Sequence, residues 1–481
     1  MSRGRRGNPY PALVVALLVP ALLLFAGWRF AVGRAPSADA TTAPSTTSTD
    51  VLSTPILSVR RAPESLAGDA NIEQFRTSAA SILQAIDDTS CVDIAVDGVS
   101  VISKNQTLPL RPASNVKLIT AAVALETLGA DYRFTTRAVG QVDADGTITG
   151  DLFIVGGGDP LLSSTWWNGP NSDFPPFNVT SMEAFADGIV AAGVRNVAGN
   201  VVGDAGRYDD EWYADTWADV DRFANVGPIS ALLVNDSRER IDQSSNDPVV
   251  GAAQVMIDLL RERGVVVVGV AGSGTAPDDT LVAKIDSQPL SAILSEMLTT
   301  SDNNTAEMIL KEIGLVVGND PSRAGGLAAV TKTLTGWMLP LDGLDLVDGS
   351  GISDENRLTC ALLLGVLQHG AVDDAVGLGL PVGGKVGGTL ADTFQDPPLA
   401  GVIRAKTGTL NNADGVADKP GSKALSGYVP IDGGGAIEFS MLLNGELITD
   451  QRYYRPIWQT LGTVLASYPD SPTPQQLAPK R

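Results

Sequence analysis

Residues 112–129 read PASNVKLITAAVALETLG. After Pro112 and Ala113 the stretch is dense in Ala, Leu, Val and Ile, which predicts a buried helix over Ser114 to Leu128. Residues three apart share a helix face, so Ser114 Oγ and Lys117 Nζ can meet. A serine needs a base to become a nucleophile, and an unprotonated lysine in a desolvated, cation-rich site can act as one. The competing reading is a helix-capping serine beside a solvated lysine, and the motif alone does not choose between them.

Two later phrases bear on that choice. Ser301-Asp302-Asn303 lies between two helical patterns, where a short fixed loop can aim a hydroxyl and an amide into one cleft. Ser244-Ser245-Asn246 has the same form but sits in a polar, turn-like stretch. Lys406-Thr407-Gly408, followed by Thr409, lies on a candidate strand, VIRAKTGTL. There Lys406 offers a positive charge for a carboxylate and Gly408 permits close approach to the strand edge. Each phrase is weak by itself. Together, in the order Ser-x-x-Lys, Ser-x-Asn, Lys-Thr-Gly, they form the signature set of penicillin-binding proteins and serine β-lactamases.

The finer resemblance is to the low-molecular-mass class C penicillin-binding proteins, the serine D-alanyl-D-alanine carboxypeptidase/endopeptidase family. It rests on the 112–129 stretch and on LFIVGGGDPLL (152–162), GPISALLVNDSR (227–238), SDNNTAEMILKEIG (301–314), LVDGSGISDENRLT (346–359) and VIRAKTGTL. It covers roughly Ile56 to Leu465. The fold it implies is α+β: a penicillin-binding/β-lactamase-like transpeptidase domain, an antiparallel sheet with helices, interrupted by a β-rich inserted domain. Ser114 and Ser301 stand much further apart than a link between neighbouring helices requires, which places the insert between them.

The resemblance also implies roles. Lys117 takes the proton of Ser114, which attacks the penultimate D-alanine carbonyl of a peptidoglycan stem peptide. Backbone N–H groups of Ser114 and Thr409 hold the oxyanion. Lys406, Thr407 and Thr409 receive the terminal carboxylate, Gly408 leaves room, Ser301 relays the proton and Asn303 holds the substrate amide. β-Lactams become covalent inhibitors, and no metal or organic cofactor is needed. Carboxypeptidase and endopeptidase action use the same groups and stay unseparated. The alternatives are a catalytically weak wall-binding or β-lactam-sensing protein on this fold and a serine β-lactamase or esterase. Against a class A β-lactamase, no Glu-x-x-x-Asn phrase occurs between Ser114 and Ser301.

Composition narrows the field independently. The 481 residues carry a net charge of −21, which argues against a nucleic-acid partner. One histidine, His369, excludes a zinc site with two His ligands within the chain, and two cysteines exclude a four-Cys cluster. His369 reads as a helix-end or surface residue, Asp348-Gly349-Ser350-Gly351 as a supporting turn, and Gly156-Gly157-Gly158-Asp159 as a turn without phosphate-loop spacing.

Arg3, Arg5 and Arg6 precede an apolar run, residues 10–28, with Arg29 and Arg34 after it. That pattern is a membrane anchor or a cleaved signal segment, and residues 1–9 would then be cytoplasmic. By the positive-inside rule the remainder is exported, either held at the outer face of the membrane or secreted to the wall space. Residues 29–70, rich in Ala, Ser, Thr and Pro, read as an extended linker, and 469–481 as a flexible tail. Residues 71–132 and 284–468 then form the catalytic domain around an insert at 133–283. In an exported chain, Cys91 and Cys360 are the two thiols of one candidate disulfide.

Overall fold

The computed structural model describes residues 62–169, 174–222, 224–278, 280–411, 420–432, 434–469 and 473–477. The proposed anchor or signal at 10–28, most of the linker and most of the tail lie outside them. Among the described residues, no helix is long and apolar enough to cross a membrane.

Among the described residues helical structure begins at Ala62, nine residues before the sequence boundary at Asn71, in Ala62–Ser78 followed by Ala80–Ala85. The first helix carries little apolar periodicity in its first turns, so its start gives no signal in the sequence. A five-stranded antiparallel sheet forms the centre, in the order Arg404–Leu410, Gly421–Pro430, Ala436–Gly445, Ser90–Val96, Val99–Lys104. The first and the last of the described strands are neighbours, with Ser90 opposite Leu443 and Val96 opposite Ile437.

Every residue of Ser90–Val96 is buried, as a strand covered on both faces must be. One face, through Val92, Ile94, Phe439, Met441 and Leu443, packs on the helices at the two chain ends, where Phe75, Ile82, Trp458 and Leu461 are buried. The other, through Cys91, Ala424 and Leu442, packs on Val116–Leu128, Leu290–Thr300, Asn303–Gly318 and Cys360–His369.

The inserted segment has its own core. Its main sheet runs Ala271–Ser273, Val201–Asp204, Leu152–Val155, Thr135–Val139, Leu281–Asp286. Three of these neighbours, 152–155 with 201–204 with 271–273, pair in parallel. Parallel neighbours need crossovers, and the helices Met182–Ala191 and Pro248–Glu262 lie in the connections between them. The insert is thus a small mixed α/β layer rather than strands joined by turns. From it the segment 205–234 reaches back, burying Tyr208, Trp217, Val226 and Ile229 together with Met308 and Ile352 of the catalytic domain.

Cys91 and Cys360 are joined by a disulfide, with Cα atoms 6.1 Å apart and a sequence separation of 269. It ties the strand before the insert to the helix after it. Loop-closure entropy over so long a segment sets a ceiling of about 5.6 kcal/mol on its contribution. Replacing both cysteines by alanine should lower the unfolding free energy by about 2–5 kcal/mol in chemical denaturation. Thiol titration of the unfolded, unreduced wild type should find no free sulfhydryl; two titratable thiols would show the bridge does not form in the protein as made.

Candidate active site

Ser114 lies in a single 3-10 turn, Ala113–Asn115, that leads into the helix Val116–Leu128. The residue before it, Ala113, has φ 47°, a left-handed conformation uncommon for a residue with a Cβ. Two glycines make room for that turn. Gly351 has φ +85°, and a Cβ there would sit 2.0 Å from the Ala113 carbonyl oxygen. A Cβ on Gly408 would lie 2.9 Å from the Pro112 oxygen and 3.1 Å from Ala113 Cβ. The glycine of Lys-Thr-Gly therefore admits the Ser114 turn against the strand. Asn115 is fully buried and donates to Ser426 Oγ at 2.9 Å, fixing the turn to the next strand.

Ser114 itself is partly exposed. One helical turn on, Lys117 is completely buried, and its Nζ donates to Ser114 Oγ at 3.3 Å, Asn303 Oδ1 at 2.6 Å and the Ser350 carbonyl at 2.6 Å. Burial lowers its pKa to about 8 against the pull of Asp302, Asp348 and Glu307, which favour the charge. A lysine so placed is a base within reach of the serine hydroxyl near neutral pH.

The Ser301–Asn303 segment is a break between two helices. Ser301 closes Leu290–Thr300 in the left-handed region, φ 67°. Asp302 then caps Asn303–Gly318, its carboxylate accepting from Thr305 N at 2.6 Å. Asn303 also donates through Nδ2 to the Asn225 carbonyl at 2.7 Å, which links it to the insert. Lys406 donates to Ser301 Oγ at 2.8 Å and to the Thr407 carbonyl at 2.9 Å. It is fully buried, and that burial, together with the nearby Lys117, holds its pKa well below the usual lysine value. Lys406, which the sequence offers as a positive charge for a carboxylate, is thus a buried partner of Ser301 whose charge is disfavoured by its surroundings.

Arg404–Leu410 is the edge strand of the sheet. On its outer side Ala405 N donates to the Pro381 carbonyl at 3.0 Å. Strand N–H groups alternate, so those of Thr407 and Thr409 point the same way, towards the open edge beside Ser114. Thr407 Oγ1 meets Thr389 Oγ1 at 2.8 Å. Thr409 is exposed and receives a hydrogen bond from Lys423 Nζ at 2.7 Å. Residues 412–419, which follow this strand, lie outside the described residues.

The structure therefore joins Ser114, Lys117 and Asn303 in one hydrogen-bonded group and Ser301 and Lys406 in a second, with Lys117 near enough to act on the charge of Lys406 and with Thr407, Gly408 and Thr409 on the adjoining strand. Ser244-Ser245-Asn246 belongs to the insert: Ser245 Oγ accepts from Asp247 N at 3.3 Å, ahead of the helix Pro248–Glu262. His369 ends its helix stacked on Trp337, ring centroids 3.8 Å apart.

The Asp348–Gly351 turn does more than the sequence indicated, because its Ser350 carbonyl is a direct acceptor for Lys117. A backbone acceptor carries no residue signature, so only the Asp-Gly-Ser-Gly phrase itself hinted at it. Beside Ser301 and Asn303 opens a cleft of about 470 Å³, also lined by Leu161, Trp167, Asn225, Asp236 and Glu296. Glu296 is buried and raised to about 7, while its carboxylate receives Asn178 N at 2.6 Å.

A model of the D-Ala-D-Ala carboxypeptidase 3 (S13) family matches residues 86–242 and 236–466. A D-alanyl-D-alanine carboxypeptidase of Actinomadura sp. is 31% identical over 79% of this chain and 82% of its own length. The carboxypeptidase Rv3627c of Mycobacterium tuberculosis is 31% identical over 66% of this chain and 69% of its own. Penicillin binding protein 4 of Haemophilus influenzae has a similar fold, with a TM-score of 0.65 over 81% of this chain and 99% of that one at 20% identity. With the family model covering nearly the whole of the ordered catalytic domain and its insert, the chain belongs to the D-Ala-D-Ala carboxypeptidase 3 (S13) family.

Proposed function

We propose that this chain is a serine D,D-peptidase that hydrolyses D-alanyl bonds of peptidoglycan stem peptides through an acyl-enzyme on Ser114. The observation that carries the reading is the fully buried Lys117 nitrogen within 3.3 Å of a partly exposed serine hydroxyl. Lys117 takes the Ser114 proton as Oγ adds to the carbonyl carbon of the penultimate residue. The N–H groups of Ser114 and Thr409 stabilise the resulting oxyanion. Ser301, hydrogen-bonded to Lys406, carries a proton to the leaving amine, and the C–N bond breaks. Water then attacks the ester and frees Ser114. Thr407 and Thr409 meet the terminal carboxylate, and Asn303 holds the acyl-side amide beside Lys117.

β-Lactams enter the same sequence at the first step and stay as esters. The Arg-flanked apolar run at 10–28 supports an exported location at the outer face of the membrane, where the polymer lies. Membrane fractionation of the full chain, with and without residues 1–34, tests that location.

Intact-mass spectrometry after incubation with penicillin should show one added penicillin on the wild type and none on Ser114→Ala. Labelling of a folded Ser114→Ala protein would overturn the assignment of the nucleophile. Lys117→Met should lower the acylation rate by about 10²–10⁴ while leaving the fold intact by circular dichroism.

The pH dependence follows from the same lysine. Its pKa is lowered, so the neutral, basic form grows in as pH rises through about 8. The acylation rate should rise over that interval and level off above it, measured as kcat/KM or as the second-order rate with penicillin. A rate that is flat or falling through pH 8 would show that another group is the base.

A further inference from the structure

Lys423 stands directly opposite Thr409 across the first strand pair of the sheet. It belongs to none of the three motifs. Its Nζ donates to Thr409 Oγ1 at 2.7 Å and lies 4.3 Å from the centroid of the Tyr454 ring and 5.5 Å from that of Trp458. Both rings belong to Gln451–Leu465, which covers the far side of the strand pair. A cation over aromatic faces is held without full hydration, so this shelf fixes the ammonium against the strand instead of releasing it to solvent. The charged groups acting on it are Arg455 of the same helix, which disfavours its charge, and Asp392, which favours it.

A hydroxyl oxygen that accepts from an ammonium must turn its own hydrogen elsewhere. Thr409 is the exposed hydroxyl at the open edge, so that hydrogen is free for an acceptor arriving in the cleft. Lys406 cannot supply the same service openly, because it is fully buried and already donates to Ser301 and to the Thr407 carbonyl.

We propose that Lys423 is a positioning residue that aims the Thr409 hydroxyl at the α-carboxylate of the leaving residue. The enzyme thereby prefers peptides in which that carboxyl is free over those in which it is amidated. The inference rests on the reading that Thr409 meets this carboxylate. Its consequence is a choice among wall peptides by the chemistry at one carboxyl.

The test compares kcat/KM for a short peptide ending in D-alanyl-D-alanine with the same peptide as its C-terminal amide. In Lys423→Met the preference for the free acid should fall about tenfold, mainly through KM, while cleavage of the amide is little changed. Lys423→Arg should restore most of the preference. An unchanged preference in folded Lys423→Met overturns the inference and leaves the peptidase reading intact.

Should Lys423→Met not fold, the wild type decides alone. Burial lowers the pKa of Lys423 to about 8, so the ratio of acid to amide cleavage should fall as pH rises through that value. Titration of Lys117 affects both peptides equally and cancels in the ratio. A ratio that stays flat across this range overturns the inference. A wild type that cleaves neither peptide and takes up no penicillin overturns the underlying reading itself.

Discussion

A lysine nitrogen with no exposure to water must be surrounded by acceptors, because an unpaired buried ammonium costs several kcal/mol. Lys117 meets this condition with three oxygens from three separate parts of the chain: Ser114 in the turn before its own helix, Asn303 at the head of another, and the Ser350 carbonyl. None of those partners is close in sequence to the other two. The helix Val116–Leu128, the break at Ser301–Asp302 and the Asp348–Gly351 turn must all be in register before the lysine can be buried at all.

The register of that turn is set in turn by a second buried layer. Asp348 accepts from Gly351 N at 2.8 Å, Ser353 N at 2.7 Å and Asn356 Nδ2 at 2.9 Å, which winds the loop around its carboxylate. Glu307 accepts from Gly349 N at 2.9 Å and from Arg323 Nε at 3.1 Å. The insert joins here: Trp217 Nε1 donates to Asp348 at 2.9 Å, and Arg323 lies over the Trp217 ring at 4.7 Å. Arg207 reaches Glu312 on the same helix as Glu307, at 2.9 Å through Nε. The inserted segment is therefore coupled to Lys117 both through this loop and through Asn225, which accepts from Asn303, in addition to walling the cleft.

How much of this was legible in the sequence follows from what kind of signal each part leaves. Ser114, Lys117, Ser301, Asn303 and Lys406 act through side chains, so their identities and spacing are written in the chain. The helices at 182–191 and 248–262 carried apolar periodicity, but the parallel pairing they impose on the insert did not show in its short strands. The Ser350 carbonyl left no trace, because any residue supplies a carbonyl and only the turn aims it. Gly408 shows the limit of such a signal: a missing Cβ reveals close approach without revealing what approaches. Lys423 was invisible for a related reason, since a strand lysine gains meaning only from the register that sets it opposite Thr409.

Electrostatics explains why the two buried lysines of the site do not behave alike. Each is stripped of water, and that favours the neutral form in both. Lys117 has Asp302, Asp348 and Glu307 near enough to offset much of the loss, so it settles near 8. Lys406 has Lys117 as a repelling neighbour, so its charge is held down further. A net charge of −21 spread over the chain adds no attraction for an anionic polymer. What separates the two lysines is therefore not burial but the sign of the neighbouring charge: the acids around Lys117 recover part of what desolvation takes away, while Lys117 itself takes more from Lys406.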